Sequence, residues 1–96
     1  MTLAFEWHDR KAQTNLQKHG VDFIEATTVF SDPLARIFVD DGEAADAGRE
    51  IIIGNSSRRR LLLVCFSEIQ KERVRIISAR VATKREKRDY EENATG

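Results

Sequence analysis

The sequence predicts an α+β domain: two helices, then a four-stranded antiparallel sheet, then a charged C-terminal helix. Three observations carry that expectation. Apolar residues recur at helical spacing before Pro33 and gather in strand-length blocks after it. Short polar connections separate those blocks, which suits antiparallel neighbours and not the long crossovers of a parallel sheet. Thr83 and Glu86 then form a Thr-x-x-Glu capping box, the signature of a new helix.

Phe5-Glu6-Trp7 opens the chain as a short apolar edge with strand character. Over 11–19 the pattern is helical, with Ala12, Asn15, Leu16 and His19 along one side. Gly20 is its natural stop, because glycine adopts the left-handed conformation without strain. Asp22 caps a second helix, with Glu25 at the capping-box position and Val21 with Ala26 as a hydrophobic staple. Phe23, Ala26, Val29 and Phe30 form its buried stripe. Ser31-Asp32-Pro33 ends it, since proline disfavours helical backbone in the residue before it.

Strands are expected at 34–39, 49–54 and 60–66, the second around Ile51-Ile52-Ile53, with a fourth that starts at Arg73 and ends before Arg80. The loop at 40–48 is acidic, has no apolar anchor and is expected to be mobile. The last helix, 83–92, has almost no apolar face beyond Ala82 and Tyr90. Its docking must depend on Tyr90, on the stems of Lys and Arg, or on a partner.

Ninety-six residues suffice for one core, so the chain reads as a single domain over 1–96. A hydrophobic fraction of 41% and a charged fraction of 33% describe a soluble protein with a heavily charged surface. No apolar run approaches the ~20 residues of a membrane span, and no signal-peptide core is present, so a cytoplasmic location without membrane contact is expected. The lone Cys65 allows no internal disulfide and reads as a structural thiol. Two histidines and one cysteine without ligand spacing argue against zinc. There is no glycine-rich phosphate loop and no nucleophile elbow, and no cofactor is expected.

The net charge is zero, yet residues 58–88 hold eleven of the sixteen Lys and Arg and three of the sixteen acids, a local charge of +8. Such a half binds phosphate backbones, other polyanions or acidic proteins, or else pairs with the acidic half across the fold. Within it, the β-branched run Val74, Ile76, Ile77 carries arginines, whose guanidinium groups are costly to desolvate. A strand that carries them is suited to hold an anion in fixed geometry.

Several motifs in order resemble those of the BrnT toxins. These are Phe5-Glu6-Trp7, Lys11, Asn15, and Lys18-His19-Gly20-Val21 with Phe23 and Ala26. Val29-Phe30 with Asp32-Pro33, Gly54 followed by Arg60-Leu61, and Arg75 through Arg80 with Ala82-Thr83, Glu86 and Tyr90 complete the match. His8, where the family usually has an acid, and the loop at 40–48 depart from the pattern. The resemblance implies a RelE-like fold and a metal-independent ribonuclease that inhibits translation. It also implies an RNA substrate and a cognate BrnA-like, DNA-binding antitoxin, with DNA reached only through the antitoxin complex. A non-catalytic binding module whose basic face holds an acidic or DNA-binding partner is the competing reading; a plain nucleic-acid binder is a third.

Metal-free RNA cleavage needs a base for the ribose 2′-OH, cations for the pentacoordinate phosphate, and an acid for the leaving 5′-oxygen. Arg60, Arg75 and Arg80 are the candidate cations, since a guanidinium fork meets two phosphate oxygens. Arg75 and Arg80 are an odd number of residues apart, so a regular strand would turn them to opposite faces. Arg80 is therefore expected past the strand end. For proton transfer the chain offers His19 and Lys18, with Lys11, Glu86 and Tyr90 as substrate-binding candidates. His19 equally suits a helix C-terminus, where its charge meets the dipole. Glu86 is first a cap, Tyr90 first an anchor for the last helix, Asn15 a backbone hydrogen-bonder, and Trp7 a core residue.

Overall fold

The structure, a computed structural model, describes residues 3–39 and 48–94; the acidic loop at 40–47 lies outside them. Strand β1 (Ala4–Glu6) leads into helix α1 (Asp9–His19) and helix α2 (Phe23–Thr28), which runs on into a 3-10 turn at Val29–Ser31. Strands β2 (Arg36–Val39), β3 (Arg49–Asn55), β4 (Leu61–Gln70) and β5 (Arg73–Val81) follow, and helix α3 (Lys84–Ala94) closes the order.

The α+β class holds, but the sheet is larger than expected. It has five strands in the order β1-β5-β4-β3-β2, and β1 lies parallel to β5, pairing Ala4, Phe5 and Glu6 with Arg73, Val74 and Arg75. The sheet is thus mixed, not a four-stranded antiparallel one. The three-residue β1 can join only because the helices that follow it carry the chain back, as a parallel pair requires.

Alternation along β4 assigns the two faces. Leu62, Val64 and Phe66 are buried with Ile52, Val74, Ile76 and Ala79 against Val21, Phe23, Ala26 and Val29 of the helical layer. Phe30 ties this core together, meeting Phe5 and Phe66 edge-to-face at 5.1 and 5.0 Å, and Trp7 packs on Phe23 at 5.9 Å. Gly54 passes so close to this layer that an added Cβ would stand 2.9 Å from the Ala35 Cβ.

Among the described residues, the opposite face is covered only at one end. There α3 sets Tyr90 against Ile53 and Leu61, and the Tyr90 hydroxyl donates to the Leu34 carbonyl at 2.9 Å. Tyr90 is therefore the anchor that an otherwise polar helix needs. No helix among the described residues is long and apolar enough to cross a membrane.

Candidate active site

Arg75 and Arg80 reach the same face of the sheet because β5 is not regular. Across the β4–β5 ladder Cys65 pairs with Ser78 and Phe66 with Ile76, so Ile77 has no opposite number. This bulge resets the alternation. Val74 and Ile76 before it and Ala79 after it all point into the core. Arg75, opposite Ser67, and Arg80, opposite Leu63, therefore both point away from it. The expectation that Arg80 lies past the strand end is corrected, since β5 continues to Val81.

Helix α1 supplies the second wall. β1 pairs with the outer edge of β5 only as far as Arg75. Further along, the buried Asn15 takes over the role of a strand. Its amide accepts from the Ala79 N–H at 3.0 Å and donates to the Ala79 carbonyl at 2.8 Å and the Val21 carbonyl at 3.0 Å. One side chain thus satisfies a sheet edge and ties down the exit of α1. The helix stops at Gly20, whose φ of 69° is left-handed and whose N–H donates to the Leu16 carbonyl. Of the residues expected along that side, Asn15 is buried and Leu16 is half exposed.

Three adjoining hollows line the open face. One of about 320 Å³ holds Lys11, Lys18 and His19 against Ile77 and Ser78. A second places His19 and Ser78 with Arg80, Leu63 and Cys65. A third brings His8, Lys11 and Arg49 together with Arg75 and Ile77. Arg75 and Arg80 are each oriented by a carboxylate. Glu6 Oε2 accepts from Arg75 Nε at 3.0 Å and Nη2 at 2.7 Å. Glu86 receives both Arg80 Nη atoms at 2.8 Å, one per oxygen.

A family model described as "Ribonuclease toxin, BrnT, of type II toxin-antitoxin system" matches residues 7–86. The chain belongs to this family. The structure is also similar to the 1.1 Å crystal structure of the ribonuclease toxin BrnT of Brucella abortus, with a TM-score of 0.67 and 29% identity. That match covers 86% of this chain and all of the other. No curated protein matches the chain.

Within this BrnT chain, Glu86 serves the site and the fold together. Its carboxylate accepts from the Thr83 N–H while its own N–H donates to the Thr83 hydroxyl, a complete capping box. The Arg80 fork, then Thr83, hold its pKa down to about 2 against the opposing effect of burial. A depressed carboxyl pKa stabilises the fold above the ordinary value near 4.5, and that contribution is lost as pH falls through about 2. We expect Glu86→Gln to flatten the fall in stability between these limits, as read from urea midpoints. At neutral pH it should cost on the order of 1 kcal/mol, because the pair is partly exposed.

Arg60 stands apart from the other candidates. It lies on the helix side, where Nε donates to Glu25 Oε2 at 2.9 Å and Nη2 to the Gly20 carbonyl at 3.1 Å. Glu25, expected to complete a capping box with Asp22, accepts instead from Arg60 and from the Ser56 hydroxyl at 2.7 Å. Asp22 caps α2 alone, accepting the Glu25 N–H at 2.7 Å. Arg60 is the main cause of the lowered Glu25 pKa, with burial acting in the other direction. Arg60→Ala would leave a buried carboxylate without its cation. A loss of about 2–3 kcal/mol is expected, with cleavage by the folded protein kept within about threefold, measured well below the melting midpoint.

Ser78 and Arg49 line these hollows and Glu6 braces Arg75, and sequence reasoning singled out none of the three for the candidate site. Nothing local marks them. Glu6 meets Arg75 only through the parallel β1–β5 register, and Ser78 enters two hollows only because the bulge turns it outward. Among the described residues, no group of three or more His, Cys, Asp or Glu could hold a metal ion.

Proposed function

We propose that this chain is a RelE-like, metal-independent endoribonuclease whose cleft is the open face between α1 and β5. The observation that carries the reading is the gathering of Lys11, Lys18 and His19 from one element and Arg75 and Arg80 from another along Ile77 and Ser78. The dipole of α1 accounts for Lys18 and His19 in its last turn, but not for Arg75 and Arg80, which the bulge in β5 turns to the same face. A phosphodiester bound there places its non-bridging oxygens against the guanidinium N–H groups of Arg75 and Arg80 that Glu6 and Glu86 leave free. The ribose 2′-oxygen attacks phosphorus, the bond to the 5′-oxygen breaks, and the charge that builds on the pentacoordinate phosphate is met by Arg75, Arg80 and the lysines. The 2′-OH proton leaves to a base and the 5′-oxygen gains one from an acid; His19 is the cleft's proton carrier. The products are a 2′,3′-cyclic phosphate and a 5′-hydroxyl.

Glu86 and Tyr90 support this site: one aims Arg80 and the other seats α3. Arg60 has a structural role only. In the cell the partner is a BrnA-like antitoxin that covers the cleft in the cytoplasm, and contact with DNA runs through that antitoxin. An RNA and its 2′-deoxy counterpart test the chemistry. Purified protein in EDTA should cut the first to cyclic-phosphate ends and leave the second whole. RNA left intact after long incubation would overturn the reading.

A further inference from the structure

We propose that the hollow between α3 and the β2–β4 part of the open face is a nucleobase pocket that selects guanine next to the cleaved bond. The proposal rests on the ribonuclease reading above. Phe38, Ile53 and Leu63 of the sheet and Asp89 and Tyr90 of α3 line this space of about 230 Å³, with Arg36 alongside. It adjoins the proposed phosphate site through shared residues. Glu86, which aims Arg80, is part of its wall, and Leu63 belongs both to it and to the hollow that holds Arg80 and His19.

The lining has what a splayed-out base requires. Phe38 is 47% exposed, an open aromatic ring on the cleft side of an edge strand. Unstacked RNA bases find their footing on such rings. Two polar groups of opposite kind then fix which base fits. Asp89 offers only acceptors, and among the described residues its carboxylate has no hydrogen-bond partner; Asn93 takes only its backbone carbonyl. Arg36 offers only donors. Its position is set, because Nη2 donates to the Asn93 carbonyl and the guanidinium lies 6.0 Å from the Tyr90 ring centre.

Guanine carries both complements at once: paired donors at N1–H and N2–H₂ for a carboxylate, and paired acceptors at O6 and N7 for a guanidinium. Adenine and cytosine each turn a ring-nitrogen acceptor towards the carboxylate beside their amino group. Uracil has a single N3–H between two carbonyls. All three leave Asp89 facing a lone pair.

Cleavage of a long RNA containing all sixteen dinucleotide steps reads the preference directly. Wild-type protein should cut steps with guanine on one fixed side at least about tenfold faster than the same steps with adenine. Asp89→Asn should bring that ratio to within about twofold, and Phe38→Ala should raise KM for every step. Titration with guanosine 5′-monophosphate, followed by NMR, tests the pocket without cleavage: shifts should centre on Phe38 and Asp89, and adenosine 5′-monophosphate should give weaker ones. Even cutting at all steps, or a preference that Asp89→Asn leaves intact, would overturn the proposal while sparing the ribonuclease reading. Uncut RNA would remove the ribonuclease reading. If the two variants weaken antitoxin capture but leave base preference unchanged, the hollow belongs to the protein partner and the base pocket is refuted.

Discussion

Replacing Arg80 by alanine should lower RNA cleavage about 100-fold, while binding of a non-cleavable RNA weakens far less. Glu86 holds both Arg80 Nη atoms, and in the proposed cleft the N–H groups this leaves free meet the charge that develops on phosphate. Removing one such preorganised donor from other enzymes costs about 10²–10³ in rate. The substitution also leaves the Glu86 carboxylate facing the cleft, where it repels a phosphate. The double variant Arg80→Ala, Glu86→Gln therefore should recover RNA affinity without recovering rate. Single-turnover cleavage separates the two effects. A rate within about threefold of wild type would remove Arg80 from the chemistry.

The second large effect is on stability. Asn15→Ala deletes three hydrogen bonds and leaves the Ala79 N–H and carbonyl and the Val21 carbonyl without their partner. Unsatisfied buried groups cost about 1–3 kcal/mol each, less where water can enter. A total near 3 kcal/mol is expected, and a fall in melting temperature of more than about 10 °C. Asn15→Asp should be no milder. Its carboxylate can still accept from Ala79 N–H, but it then opposes two carbonyl oxygens where the amide donated. A thermal melt of both variants decides this, and a shift of only a few degrees would show that water replaces the amide.

What the sequence revealed and what it hid divide along the range of the interactions. Caps are local, so Asp22 at α2 and the Thr83–Glu86 box were legible from spacing alone. Gly20 as the stop of α1, Asn15 as a backbone hydrogen-bonder and Tyr90 as an anchor also follow from residue type in context. The parallel seat of β1 was hidden because Phe5 meets Val74 across almost the whole chain. The bulge at Ile77 was hidden because nothing distinguishes one isoleucine from its neighbour until the β4 partner strand fixes the register. That omission mattered most. An alternation rule puts Arg75 and Arg80 on opposite faces, and one extra residue brings them together. Arg60 shows the converse: the charge run around it suggested an anion site, and its counter-charge, Glu25, lies 35 positions away.

The central claim is that RNA lies on the open face between α1 and β5. Titrating the ¹⁵N-labelled protein with a short RNA made non-cleavable by one 2′-deoxy substitution measures this directly. Amide shifts should concentrate on Lys11, Lys18 and His19 of α1 and on residues 75–80 of β5, and should fade as salt is raised. Shifts centred instead on Ser56, Arg60 and α2, on the other side of the sheet, would contradict it.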